Sequence, residues 1–562
     1  LKRITFTRRG RLVARAALLV LVGVAVAPVA RAQSPAPPTP SAPAQAAPAA
    51  LPSSQPGAAA PSALWFGPSS PACGDDCFID RSGIVRRATP AYETLMQRGA
   101  PNYWLMATLQ AAGLGGGTAW YWIDRDRQVA DWDFPSIEQR FTFEAWRYDN
   151  NPFLINYLWH PLNGTGFHVF GRANDLSLLE SVGYGFLTSM VWEIGLEFRE
   201  KVSINDVIVT TGVGVATGEF AHWLGRYLNS ANETLSIGHG ALRYTLGFPR
   251  ALHNAVEDYE EPLATTERDN LGLTTDIWHR FYVGARYLRA GVNSDTLDSK
   301  PSFDVGELEL AGELVAIPGY RRPGRFDRWF FDGNMTSIRL TAGLGEDVKT
   351  IDLDSFALPI GKIWQDISRD GRSGQVVAIG PAIAYRLQRE DLGPWRDRFG
   401  AFALPGLGVD STVFFRGIEL RGRTRVNAEF VGIQSLPYAR WAELNPNAGE
   451  KTILRKQGYY YGWGLSWMTE SQLRTRYFEI LSSFTQGWYD SDEGLDRNQE
   501  EIRADIDADD RYQRLVSWVR VPVGKGWRVG GRLDRKERRA DLDGVKVDAS
   551  VTRFDLTLGT EF

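Results

Sequence analysis

Cysteine is nearly absent from this 562-residue chain, which holds two, Cys73 and Cys77, in "PACGDDCFID". A disulfide-rich scaffold is therefore excluded. A redox or metal role for the pair needs partners that the stretch lacks, and the close spacing predicts a local disulfide that rigidifies one turn. Net charge is also small, −4, with no basic block, which argues against a nucleic-acid partner. The common enzyme signatures are missing: no Gly-x-Ser-x-Gly elbow, no phosphate-binding Gly-Lys-Ser/Thr loop and no His-Glu-x-x-His helix. No apolar run beyond the N-terminal one reads as a membrane-spanning helix, because charges or glycines interrupt each before about 18 residues.

What is present begins with "LKRITFTRRGRLVARAALLVLVGVAVAPVARAQS", a basic start, an apolar middle and a small-x-small end at Ala30-Arg31-Ala32. This predicts a secretory signal over 1–32, the alternative being a retained anchor. A Pro/Ala/Ser/Gln-rich linker at 33–64 cannot bury a core. A short segment at 65–100 carries the cysteine pair. Residues 101–240 read as a helical module. The uncharged run from Gly99 to Ile123 predicts a helix followed by a turn at Gly115, Gly116 and Gly117. Ser177 with Glu180 predicts a capping box, and Ser203 with Asp206 a second helix start.

From 241 to 562 the pattern changes to alternation. In "IELRGRTRVNAEF", Ile418, Leu420, Val426, Ala428 and Phe430 share one face, and Glu419, Arg421, Arg423, Arg425, Asn427 and Glu429 the other. About twelve such segments are legible, near 276–288, 303–316, 335–346, 349–362, 374–387, 399–414, 416–431, 457–469, 474–488, 510–522, 525–538 and 549–562. Their length and even number predict an antiparallel transmembrane β-barrel, lipid outside and a wet charged lumen lined by Glu419, Arg421, Arg423 and Arg425. With 19 Trp in the chain, clusters such as "GYYYGWGLSW" and "GWYD" suit interfacial girdles. The last segment, "FDLTLGTEF", resembles the strand by which outer-membrane barrels address the insertion machinery, with Leu556, Leu558 and Phe562 at its apolar positions. Lipid of the outer membrane and that machinery are the expected partners, and the N-terminal part is expected in the periplasm.

The module contains "HPLNG" at His160 to Gly164, Arg172, "SMVWEIGLE" from Ser189 to Glu197, "SINDV" from Ser203, and Gly218-Glu219. Over about 130–235 it resembles the bacterial family called domain of unknown function 3943. The resemblance implies membership and no activity. Glu219 and His222 form Glu-x-x-His on one helix side, which His160, Glu193 and Glu197 could complete into a metal or acid–base site. A di-metal site needs two such pairs and one is present, so no metal or cofactor is expected. The structural alternative is one buried polar network of His160, Arg172, Glu193, Glu197, Ser203 and Asp206, with His222 packed beside Trp223. Two functions follow. The first is an envelope channel or structural barrel with the module as plug or anchor, Arg421, Arg423 and Arg425 attracting anions. The second is a membrane-embedded enzyme acting on envelope lipid or glycan through His160, Glu193, Glu197, Glu219 and His222.

Overall fold

The structure, a computed structural model, describes residues 73–123, 133–231, 233–345, 348–446, 452–492, 495–496 and 506–562. The expected signal and linker lie outside the described residues. In chain order the strands are β1 (Cys77–Ile79), β2 (Val85–Arg87), β3 (Trp146–Arg147), β4 (Val202–Ser203), β5 (Trp278–Ser294), β6 (Ser302–Val315), β7 (Gly324–Phe330), β8 (Met335–Leu344), β9 (Val348–Leu358), β10 (Gly361–Ile367), β11 (Ser373–Leu392), β12 (Trp395–Phe415), β13 (Ile418–Gln434), β14 (Tyr459–Arg474), β15 (Glu479–Ser491), β16 (Ala508–Gly524), β17 (Trp527–Leu542) and β18 (Val545–Glu561).

Twelve of them, β5, β6, β8, β9 and β11 to β18, hydrogen-bond antiparallel in a closed ring, β18 returning to β5 from Ala549↔Ser294 to Glu561↔Tyr282. These match the twelve segments legible in the sequence. Of the remaining strands, β1, β2, β7 and β10 form a flap, and β3 and β4 pair separately. β11 is long enough to pair with β9 through Ile383 to Leu392 and with β10 through Gly374 to Ile379. The sheet then continues through β7 to β1 and β2. The flap lies at the end where β5 begins and β18 finishes, called here the near end. Cys73 and Cys77 are disulfide-bonded where the chain enters β1 of this flap.

Polarity changes along the strands. In the near-end half the outer face is apolar: Leu308, Val426, Leu465, Leu515, Val529, Phe554, Leu556 and Leu558 are all exposed. At the far end it carries ions instead, with exposed Arg535–Glu537 and Arg539–Asp548 pairs. Strands of 16 to 21 residues, such as β11 to β14, β16 and β17, exceed the roughly 9–11 residues that cross a bilayer, so their far ends project beyond it. Inside, the order reverses, and Leu288, Val292, Val547 and Val551 form an apolar cluster with Trp395 and Leu436.

The lumen is not merely wet. Ion pairs cross it: Arg520 on β16 with Glu309 on β6 at 2.9 Å, Lys536 on β17 with Asp397 on β12 at 2.5 Å, and Arg553 on β18 with Glu390 on β11 at 2.5 Å. Toward the far end, Phe399 on β12 stacks on Tyr512 on β16 with ring centroids 5.0 Å apart, another contact across the interior. Trp441 and Leu454, from the segment joining β13 to β14, pack on that layer. The cavity left among the charged side chains is about 130 Å³.

The α-helices that precede the barrel are α1 (Ala88–Leu95), α2 (Tyr103–Ile123), α3 (Ile137–Phe141), α4 (His160–Ala173), α5 (Leu178–Val191), α6 (Ile204–Leu228), α7 (Ile237–Arg243) and α8 (Phe248–Glu257). The capping boxes of α3 and α5 form, and Ser203 caps α6. Helix α2 corrects the expected glycine turn, for it runs unbroken through Gly115, Gly116 and Gly117. Packing outweighs propensity here, because a Cβ on Gly117 would lie 3.0 Å from the Trp192 ring and one on Gly113 3.3 Å from Phe167. Among the described residues no helix is long and apolar enough to cross a membrane.

Helix α6, with α4 and α5 packed on it, lies on the outer wall of the barrel and not in its lumen, whereas Ala88, Ala91 and Tyr92 of α1 pack with the flap and with Met335 and Phe356 at the near end. Val209 and Val213 of α6 share a cluster with Tyr385, Phe402, Phe430 and Tyr461, which alternate with the lumen-facing residues of their strands. Further along, Phe220 covers Gly312 on the outside of β6, and Leu228 meets Leu273, Ile277 and Leu314. At 1.5 Å per residue the 25 residues of α6 span about 37 Å of wall. Outward, the module shows Trp104, Leu179, Phe186, Leu187 and Val191, continuing the barrel's apolar exterior.

Candidate functional site

Two helices meet at the heart of the module without side chains between them. A Cβ on Gly164 of α4 would fall 1.8 Å from the Thr210 carbonyl oxygen of α6, and one on Gly214 2.6 Å from the Gly164 carbonyl oxygen. Small residues at a crossing let backbones approach, the usual device where lipid supplies no hydrophobic drive between helices. The crossing divides the polar residues into two groups.

On one side Glu219 of α6 holds His168 and Arg172 of α4. His168 Nε2 lies 2.6 Å from Glu219 Oε1, and Arg172 Nε donates to the same oxygen at 2.8 Å. Arg172 Nη2 also reaches Asp332 Oδ2 at 3.0 Å, and Arg98 pairs with Asp332 from the other direction. All three of His168, Arg172 and Glu219 are buried. Gly333, at φ +63°, comes so close to Glu219 that a Cβ would sit 2.0 Å from Oε2. This charge-compensated group ties the module to the link between β7 and β8.

On the other side Asp149, Asn156, Ser203, Asn205 and Asp206 are buried against Tyr459 and Tyr461 of β14. Asn156 Nδ2 donates to Asp149 Oδ1 at 2.6 Å, Tyr461 hydroxyl donates to it at 2.8 Å, and Asn205 Nδ2 donates to Asp206 Oδ1 at 2.8 Å. Ser203 N–H donates to Glu193 Oε2 at 3.0 Å. His160 Nε2 stands 3.5 Å from Asp206 Oδ1. Asp149, His160 and Asp206 bring ligand atoms within 4.8 Å of one another, the combination among the described residues suited to a metal ion.

Two π-helical turns shape this side. One, Ile155–Trp159, delivers His160 to the start of α4, and the other, Trp192–Leu196, contains Glu193. Such widened turns shift the facing of the next side chains and recur at functional sites. Between α2, the first turn and the second lies a cavity of about 620 Å³. Leu114, Trp159, Leu162, Phe167, Phe170 and Trp192 make it mostly apolar, and His160, Glu193, Glu197 and Glu200 give it one polar end, with no Lys or Arg among the lining residues.

The structure thus separates residues that the sequence grouped. His160, Glu193 and Glu197 converge on the cavity, whereas Glu219 joins His168 and Arg172, and His222 packs edge-on against Trp223 at 4.9 Å. The single polar network expected from His160, Arg172, Glu193, Glu197, Ser203 and Asp206 is two. Arg172 follows His160 by twelve residues on one helix, about 18 Å along the axis, too far for a shared contact. The expected anion-attracting strip is also corrected. Arg421 pairs with Asp410 at 2.6 Å and Glu313 at 2.7 Å, Arg423 with Asp410 at 3.0 Å, and Arg425 with Asp354 at 2.6 Å. Glu419 pairs with Arg321 at 2.6 Å. In the expected aromatic girdle Trp467 and Trp488 do face outward, but Tyr459, Tyr460 and Tyr461 are buried.

Sequence reading missed Asp149, Asn156, His168 and Asp332. His168 and Arg172 stand four apart on one helix face, which was a usable signal. Asp332 comes from a link over a hundred residues away and carried none.

A family model described as a domain of unknown function, DUF3943, matches residues 145–247, the stretch that builds both polar groups. No curated protein matches the chain. Similar solved structures include an anion-selective porin from Comamonas acidovorans, at 10% identity and TM-score 0.19, covering 51% of this chain and 99% of that one. The translocator domain of the autotransporter NalP from Neisseria meningitidis is 8% identical at TM-score 0.20, covering 50% of this chain and 88% of that one. The outer membrane protein Omp33 of Acinetobacter baumannii is 7% identical at TM-score 0.15, covering 50% of this chain and 99% of that one. These likenesses carry nothing about activity. The barrel stands on its own closed hydrogen-bonded ring and its outward apolar band.

Proposed function

We propose that this is an outer-membrane protein whose barrel is a closed scaffold, and that its working site is the cavity in the helical module held in lipid on the outer wall. One observation carries the reading: ion pairs and stacked rings span the lumen, while the roomy cavity, about 620 Å³, lies outside it. A mostly apolar cavity with one carboxylate-rich end suits an amphiphile with a cationic or hydroxyl-bearing head and an alkyl body. The flap and Cys73–Cys77 then face the periplasm, since even-stranded barrels keep both ends there. The outward Phe554, Leu556 and Leu558 of β18 support the insertion machinery as a partner.

The test uses the full chain folded in detergent. A dansyl-labelled long-chain amine is expected to bind saturably, and a Gly117→Trp variant, which fills the cavity beside Trp192, to lose it. No saturable binding, together with porin-sized conductance steps in a planar bilayer, would overturn the reading.

A further inference from the structure

We propose that Asp149, His160 and Asp206 bind one first-row divalent cation, with Zn²⁺ as the probe; this goes beyond the amphiphile site and stands without it. The three ligand atoms already lie within 4.8 Å of one another. Ligands held about 2.1 Å from a metal sit roughly 3–4 Å apart, so a small inward turn of the side chains closes the site. Each comes from a different place: Asp149 precedes the first π-helical turn, His160 follows it, and Asp206 lies in the first turn of α6.

Charge argues for an ion. Asp149 and Asp206 are both buried, and among the described residues neither is paired with a Lys or Arg. Two carboxylates removed from water need a compensating positive charge or a proton, and a bound cation supplies the first. His160 Nε2 is buried without a hydrogen-bond partner, and so is Oδ1 of Asn156, whose amide nitrogen touches Asp149. The outer shell is in place as well: Asn151, Asn156, Asn205 and Tyr461 donate to Asp149, and Asn205 to Asp206. An imidazole with carboxylates favours zinc, manganese or iron over calcium or magnesium. Of the three, His160 lines the cavity while Asp149 and Asp206 do not, so the ion would stand behind the cavity wall and leave Glu193, Glu197 and Glu200 to the head group.

The full-length protein, folded in detergent and stripped with chelator, is dialysed against Zn²⁺ and its metal counted by mass spectrometry. About one ion per chain is expected, and Asp206→Asn and His160→Gln are expected to weaken retention at least about tenfold. The fast migration of the folded barrel in unboiled gels reports that each variant folds. In addition, His160→Cys loaded with Co²⁺ is expected to show a thiolate-to-cobalt charge-transfer band. Folded unaltered protein that retains far less than one ion, undiminished retention by the folded Asp206→Asn and His160→Gln variants, or no band in His160→Cys each overturns the site.

Discussion

Glu219 is one buried carboxylate shared by two basic side chains, His168 and Arg172. Glu219→Gln leaves the buried Arg172 with its Asp332 pair but a weaker second partner, and the expected loss is about 1–3 kcal/mol. Urea midpoints of the vesicle-embedded protein check it. A second residue, Asp507, lies outside the bilayer band at the far rim. Partial burial, then the nearby charges of Asp509, Asp543 and Asp541, raise its pKa above 3.8. The folded state therefore holds this proton more tightly than the unfolded one, so the rim gains stability as pH falls from the raised value toward 3.8. Amide exchange at the rim should slow over that interval, and Asp507→Asn should flatten the dependence. Residue roles were only partly legible in the sequence. His160, Glu193 and Glu197 were found because their types and spacing are unusual, but Asp149 beside His160, and Tyr461, which donates to Asp149, come together only through the wall.

At the scale of elements, the crossing of α4 over α6 depends on Gly164. Gly164→Ala drives a methyl into the Thr210 carbonyl and should destabilise by at least about 1–3 kcal/mol. Gly166→Ala, with nothing within 4 Å, should be neutral or gain about 0.4–1 kcal/mol. Thermal unfolding of the two variants separates the cases. All twelve barrel strands could be read from alternation. The flap strands β7 and β10 could not, because seven residues make a weak periodic signal and fall short of a crossing. The continuity of α2 was hidden for the opposite reason: its glycines are poor helix formers locally and good neighbours for Trp192 and Phe167.

At the scale of the molecule, one strand obeys two rules. Near its start β17 turns Trp527 and Val529 outward, and further on it turns Arg535, Glu537 and Arg539 outward with Ala540 and Leu542 inside. Alternation shows that faces differ and not which one meets lipid, so the reversal along the strand and the docking of the helices outside were illegible. In the proposed reading the barrel's near-end exterior and the helices α2 and α5 form one lipid-facing surface. Nitroxide labels on Leu187→Cys and Leu556→Cys, with the native disulfide kept intact, test it most directly in vesicles. Lipid-soluble oxygen is expected to broaden both spectra strongly while a water-soluble nickel chelate leaves both untouched. A label at 187 that the nickel chelate reaches while 556 stays shielded would contradict it.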